Sequence, residues 1–334
     1  MGLVLYSKQE QNMGNDRDTP SISSLHDLST LEVAKIEEEM RHFNSSVRNN
    51  VNFSRSDYGD VRAFFAEASA DYDSDLENPY WSFTHDILKF ILNTNIKEHF
   101  SSDQEIRVFD AGAGTGNWSK YVLSLNDRIS GILFDMNSSM LRKAYPKIGQ
   151  LTGNRTRIVE GNLENLNEYP SERSNLVLCM HNVIGLGRNS ERIIQNIYAY
   201  LEEGGLAFLM AINKYHAYSF TSKFCGEAEV ARVLRDSTVK FKADMPEMFC
   251  YTPLEFKTLI SSCGFEQVTV LGYPVTIYPS PEDTKLLRKD TLDARLKNPF
   301  ERERMLEIEK RLCLSPWLAH RGGSSLIAIA KKNK

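Results

Sequence analysis

A glycine-rich segment in the first half of the 334-residue chain has the residue types and spacing to bind a small ligand. Asp110 is followed by Gly112, Gly114 and Gly116, between an apolar run that predicts a strand and a stretch with helical periodicity. Glycines at such a turn let a ligand touch the backbone. The G-x-G-x-G spacing departs from the G-x-G-x-x-G of nicotinamide sites, and a carboxylate at the strand end repels phosphate but suits a cation. The segment therefore predicts a site for a positively charged ligand without phosphate.

S-adenosylmethionine is such a ligand, because it carries a sulfonium and an ammonium group and no phosphate. The segment resembles the class I S-adenosylmethionine-dependent methyltransferases, whose first motif is D-x-G-x-G-x-G. The resemblance implies a Rossmann-like fold and S-adenosylmethionine as the cofactor. It also implies cofactor contacts along this turn, made by Asp110, Gly112, Ala113, Gly114, Gly116 and Asn117.

The resemblance continues at the ends of the next two predicted strands. Asp135 stands where the family has an acid that holds the ribose hydroxyls, and Met136 would then flank the adenine. Asn162 and Leu163 stand where the family usually has an acid that reads the adenine amine, and an amide can both accept and donate there. Two alternatives stay open: Asp135 as a helix N-cap and Met136 as a core residue.

His181 and Asn182 follow the fourth predicted strand, where the chain faces the methyl group in this fold. His181 is a candidate cofactor contact and general base, although a histidine at a strand end is as often a structural hydrogen-bonding residue. Asn182 is a candidate substrate contact. The Asn/Asp-Pro-Pro-aromatic signature of relatives that methylate DNA bases or glutamine amides is absent, which disfavours those acceptors.

Polar and aromatic residues are dense after the fifth predicted strand. Asn213, Tyr215 and Tyr218 are candidate substrate contacts, and His216 is a second candidate base. The alternative is a capped loop without a binding role.

The C-terminal part loosely resembles the ending of bacterial tRNA carboxymethoxyuridine carboxyl methyltransferases. The likeness lies in the residues from Leu306 to Cys313, in Pro316 and in Arg321-Gly322-Gly323 before the last predicted strand. By this resemblance Arg321 would meet an anionic substrate group. A salt bridge that only fixes a helix is the alternative for Arg321.

Short β-branched runs alternate with amphipathic helices from residue 61 onward, which predicts an α/β fold with a doubly wound, mostly parallel seven-stranded sheet. We expect a mobile arm over residues 1–60 with one amphipathic helix near 30–44, and a methyltransferase domain over 61–334. Residues 213–248 and 272–323 are expected substrate-side insertions. The tyrosine-rich segment 64–81 is expected to close over the cofactor.

Composition limits the remaining possibilities. Forty basic against 44 acidic residues give a net charge of −4, and no long Lys/Arg stripe is present, so tRNA is the alternative partner and a small-molecule acceptor is preferred. A third hypothesis is that the protein is a non-catalytic module that binds the cofactor. Five scattered cysteines predict reduced thiols and no metal site. We expect no membrane partner, a cytoplasmic location and a monomer or homodimer.

Overall fold

The computed structural model describes residues 58–152, 155–169, 172–277, 289–315, 317–318 and 323–333. All of them lie in one compact unit, residues 53–334. The predicted helix near 30–44 and Arg321 lie outside the described residues.

The described chain begins with helices that precede the sheet. They are α1 (Gly59–Ala68), a 3-10 helix (Tyr72–Glu77) and α2 (Pro79–His99). Helix α2 starts at Asn78, whose side chain accepts the Tyr80 N–H, and has proline at its first position. Phe83, Ile87 and Ile91 on α2 are fully buried, so this helix covers one face of the sheet.

The sheet contains all seven predicted strands and two short additional ones. Its strands are β1 (Ile106–Ala111), β2 (Ile129–Asp135), β3 (Thr156–Glu160), β4 (Ser174–Cys179), β5 (Leu201–Asn213), β6 (Thr238–Val239), β7 (Met248–Tyr251), β8 (Gln267–Tyr273) and β9 (Ser325–Lys331). The order β3-β2-β1-β4-β5 is parallel throughout, and β9 runs antiparallel between β5 and β8. This confirms the predicted doubly wound, mostly parallel fold. Strands β6 and β7 have two and four residues, too few to show a period in the sequence.

Helices flank both faces of the sheet. They are α3 (Asn117–Leu123), α4 (Ser138–Thr152), α5 (Val183–Leu186), α6 (Ser190–Tyr200), α7 (Lys214–Phe224), α8 (Glu227–Asp236), α9 (Pro253–Ser262), α10 (Lys289–Lys297) and α11 (Pro299–Leu312). A second 3-10 helix spans Leu163–Glu168. Two apolar layers, one on each face, hold the sheet and leave the carboxyl ends of β1 to β5 open. In the described part of the chain, no helix has the length and apolar character to cross a bilayer.

Candidate active site

A cavity of about 520 Å³ lies at the carboxyl ends of the central strands. This edge is where open parallel sheets bind ligands, and the volume is in the range of small-molecule sites. The structure brings most predicted site residues to its wall: Gly112, Ala113, Gly114, Asn117, Asp135, Met136, Asn162, Leu163, His181, Asn182 and His216.

The glycine turn presents backbone to this cavity. Gly112, Gly114 and Gly116 have φ values of +84°, +54° and +78°, a region that favours glycine. A Cβ on Gly112 would lie 2.4 Å from Val183 Cγ2, whereas a Cβ on Gly114 would meet open space. Gly116 does not line the cavity and packs against Ala144 instead.

Asp110 does not face the cavity, contrary to the expectation that it contacts the cofactor. The residue is 1 % exposed, and its Oδ2 accepts the Ser119 hydroxyl at 2.6 Å. Burial raises the pKa of Asp110 to about 7. The first motif therefore places its acid beneath the turn, where it orders helix α3.

Replacing Asp110 with asparagine is expected to make stability less dependent on pH. Because the pKa of Asp110 is raised in the folded protein, the folded state binds this proton more tightly than the unfolded chain, and wild-type stability falls as pH rises from about 4 to 7. The advantage of Asp110→Asn in unfolding free energy should grow by about 2–3 kcal/mol between pH 4.5 and 8 in urea titrations. Asp127→Asn, at an exposed acid, is the control. A difference independent of pH would contradict this account.

Asp135 lies in the cavity wall with both carboxylate oxygens fixed. Oδ2 accepts the Gly114 N–H and Oδ1 accepts the Asn137 N–H, each at 2.8 Å. Helix α4 is capped by Asn137, whose Oδ1 accepts the N–H groups of Ser139 and Met140, so capping does not occupy Asp135. A carboxylate has about four acceptor positions, which leaves two for ribose hydroxyls.

Three other predicted cofactor residues line the cavity, and two of them already use part of their hydrogen-bonding capacity. Asn162 Oδ1 accepts the Glu164 N–H at 2.9 Å and starts the second 3-10 helix, which leaves its Nδ2 to donate to an adenine. Both polar atoms of the Asn117 side chain bond to Asp73 and Lys147. Met136 packs against the apolar group that contains Leu186 and Met248. Of these, Asn162 retains the clearest capacity to bind a cofactor.

The turn after β4 is strained. His181 and Asn182 have φ values of +52° and +62°, a left-handed conformation that is uncommon for residues with a Cβ. Asn182 is 8 % exposed and its Oδ1 accepts the Ile212 N–H at 3.1 Å. Its Nδ2 has no hydrogen-bond partner among the described residues. This strained turn sets both side chains in the cavity wall.

Three aromatic side chains pack together beside this turn. The ring centroids of His85, Trp118 and His181, hereafter the ring cluster, are 4.8 to 5.6 Å apart with interplanar angles of 31° to 40°. Burial lowers the pKa of His85 to about 3 and that of His181 to about 4, so both rings are neutral at pH 7. The sequence interpretation missed His85 and Trp118. Two features of the sequence could have identified them: His85 lies one helical turn after Trp81, and Trp118 comes just after the glycine turn.

The segment before α2, residues 58–77, bonds to residues that follow the first three strands. The Tyr58 hydroxyl donates to Glu164 at 2.5 Å, and the Arg62 carbonyl accepts from Asn137 Nδ2 at 2.9 Å. Asp73 accepts the Thr115 hydroxyl and the Asn117 amide and pairs with Lys147 at 2.6 Å. Of these three residues, Asp73 lies in the segment 64–81, and closure of that segment over the cofactor stays a prediction.

Three predicted substrate contacts do not line the cavity. Asn213 is buried as the N-cap of α7: its Oδ1 accepts the Tyr215 N–H, and its Nδ2 donates to the Gly323 carbonyl. Tyr215 and Tyr218 are 48 % and 44 % exposed. Because α7 begins directly at Lys214, helical rotation turns only His216 of this group to the cavity. Asn213 therefore fits the alternative interpretation, in which this stretch is capped and has no binding role.

Residues 108–205 match the family model for the methyltransferase domain. The chain carries a methyltransferase domain. The predicted enzyme class and the predicted cofactor, S-adenosylmethionine, are thereby confirmed. The similarity to tRNA carboxymethoxyuridine carboxyl methyltransferases stays a prediction.

A solved methyltransferase structure shares the fold of this methyltransferase. The plantazolicin methyltransferase BamL, crystallised with S-adenosylhomocysteine (SAH), is 16 % identical with a TM-score of 0.52, over 87 % of this chain and 99 % of BamL. A phosphoethanolamine N-methyltransferase of Haemonchus contortus, crystallised with S-adenosylmethionine, is 14 % identical with a TM-score of 0.48, over 86 % of this chain and 60 % of that protein. No curated protein sequence matches the chain. At this low identity, the likeness to BamL shows a shared fold alone.

Proposed function

We propose that this methyltransferase transfers the methyl group of S-adenosylmethionine to an oxygen or nitrogen of a small, largely apolar acceptor. One observation carries the proposal: the cavity that contains Asp135 and the glycine turn continues into an apolar lobe beside His181 and Asn182. The apolar lobe is formed by Val61, Phe65, Leu186, Ile212, Phe241, Met245 and Met248.

The lobe suits an acceptor whose buried part is uncharged. Phe241 packs against His216 at 5.6 Å and edge-on against Phe220 at 5.0 Å, which forms an aromatic wall. Besides Asp135, the charged side chains among the described residues that line the cavity are those of Arg62, Lys242 and Asp244, and all three are exposed. Burying a charged acceptor in this lobe would lack a compensating partner.

Bound S-adenosylmethionine supplies the methyl group on a sulfonium that is already a good leaving group. The chain must then hold the nucleophile in line and exclude water. Asn182 Nδ2 can donate to an acceptor oxygen, and the neutral His181 ring can take the proton of a hydroxyl or amine. His216, also neutral because burial lowers its pKa to about 4, lines the lobe as a second base.

Incubation of the purified protein with tritiated-methyl S-adenosylmethionine and fractionated cell extract tests the proposal. We expect label in the small-molecule fraction. Label in tRNA instead would favour the carboxyl methylation suggested by the C-terminal resemblance. SAH binding without label in either fraction would favour the non-catalytic module.

His181→Asn should lower kcat about a hundredfold for a hydroxyl or amine acceptor found in that screen, because it removes the base. Asparagine tolerates the left-handed backbone at this position. SAH affinity should stay within about twofold. Because burial lowers the pKa of His181 to about 4, wild-type kcat should hold from pH 8 to 5.

The matched control is His99→Asn, a partly buried histidine that contacts the Gly204 carbonyl and does not line the cavity. This control should leave kcat unchanged. Equal kcat values in the wild type and His181→Asn would show that His181 is not the base.

A further inference from the structure

Two members of the ring cluster, His85 and Trp118, have no role in the function derived so far, and His181 acts there only as a base. Its members come from three separate elements, because His85 lies on α2, Trp118 on α3 and His181 after β4. All three side chains line the cavity. Trp118 is 5 % exposed and both histidines are partly buried, so the cluster is a wall of the cavity.

The topology places this wall at the sulfur end of the cofactor site. The strand order β3-β2-β1-β4 puts Asn162 after β3, Asp135 after β2 and the glycine turn after β1. With its adenine at Asn162 and its ribose at Asp135, S-adenosylmethionine would extend its sulfonium end toward β1 and β4. His181 follows β4, and Trp118 follows the glycine turn, so the ring cluster lies where that continuation leads.

No described acid accompanies the cluster in the cavity wall. Asp110 is buried beneath the turn, and the acids that line the cavity are Asp135, after β2, and Asp244, between β6 and β7. Asp86, one residue from His85, pairs with Arg302 and Lys89 and does not line the cavity. A sulfonium bound at this end of the cavity therefore has no carboxylate counter-ion in the wall and needs another source of stabilisation.

Aromatic faces supply that stabilisation. A cation over the face of tryptophan is attracted by the negative ring face, most strongly in a desolvated site. Neutral imidazole rings add π surface without positive charge, and burial keeps both histidines of the cluster neutral at pH 7.

We propose that the ring cluster of His85, Trp118 and His181 contacts the sulfonium of S-adenosylmethionine and makes the enzyme prefer this cation over the neutral thioether of SAH. The inference rests on the proposed methyl transfer and adds a recognition element to the same site. Its consequence is weaker product inhibition, because the product lacks the charge that the rings attract.

Calorimetric titration with S-adenosylmethionine and SAH tests the proposal. Trp118→Leu should weaken S-adenosylmethionine binding about tenfold and SAH binding less than about twofold, whereas Trp118→Phe should retain most of the preference because it keeps an aromatic face. Trp317→Leu is the control and should bind both ligands like the wild type, since Trp317 is 83 % exposed and does not line the cavity. Equal weakening of both ligands in Trp118→Leu, or an unchanged preference, would overturn the proposal.

A second measurement needs no variant. The methyl resonance of S-adenosylmethionine carrying a 13C-labelled methyl group should move upfield when it binds the wild-type protein, because the methyl then lies over ring faces. A bound methyl signal without an upfield shift overturns the inference while the cofactor assignment stands. Absence of binding of both ligands to the wild type would overturn the cofactor assignment and this inference together.

Discussion

Asp135→Ala is expected to reduce the affinity for SAH about a thousandfold, because the variant loses two charge-assisted hydrogen bonds to the ribose. The geometry supports this size: the backbone N–H groups of Gly114 and Asn137 hold the carboxylate in place at 2.8 Å each. A preorganised carboxylate spends little free energy on ordering when the ligand arrives. Isothermal titration calorimetry at pH 7.5 measures the change.

Asp127→Ala is the matched control for this loss of charge. Asp127 is exposed and precedes β2, so it lies at the opposite end of the strand that carries Asp135. It should bind SAH like the wild type. Thermal unfolding of both variants without ligand separates a lost contact from a lost fold. If Asp135→Ala keeps its SAH affinity within about tenfold of the wild type, Asp135 does not bind the ribose.

Gly112→Ala is expected to lower the unfolding free energy by about 3–4 kcal/mol. Two causes add: alanine at φ +84° is strained, and its Cβ would lie 2.4 and 2.7 Å from the two γ-methyls of Val183. Val183 is β-branched at the start of α5, so its side chain cannot rotate away cheaply. Urea unfolding monitored by circular dichroism measures the loss.

Gly114 provides the matched control on the same turn. Its φ is also positive, but a Cβ there meets nothing within 4 Å, so Gly114→Ala should cost only about 1 kcal/mol. Adding Val183→Ala to Gly112→Ala should recover about 1–2 kcal/mol relative to the sum of the single changes, because it removes the clash. Strict additivity of the two changes would show that the clash is not the cause.

The fold could be predicted from local sequence patterns, because the same patterns form the helices and strands of the tertiary structure. Helix α9 shows such a pattern: it begins after Thr252 with proline at its first position, and Thr252 and Glu255 form a reciprocal capping box. The strand that leads into the glycine turn is β1. Such signals survive because capping and glycine conformation depend on a few neighbouring residues.

The predictions after β5 depended on which way a helix turns. Asn213, His216 and Tyr218 lie within six residues of one another, yet only His216 reaches the cavity. The sequence showed a dense polar and aromatic stretch but not that α7 starts at Lys214. A shift of one residue rotates a helix by about 100°, so a small boundary error changes which side chain faces the site.

The sequence by itself determined the parallel α/β fold, the glycine turn and Asp135, because each depends on a short motif whose chemistry is local. Only the tertiary structure decided that Asp110 lies beneath the turn and that His85 joins Trp118 and His181. The physical reason is that side chains from α2, from α3 and from the turn after β4 meet through tertiary packing. No spacing along the chain encodes a contact between residues 85 and 181.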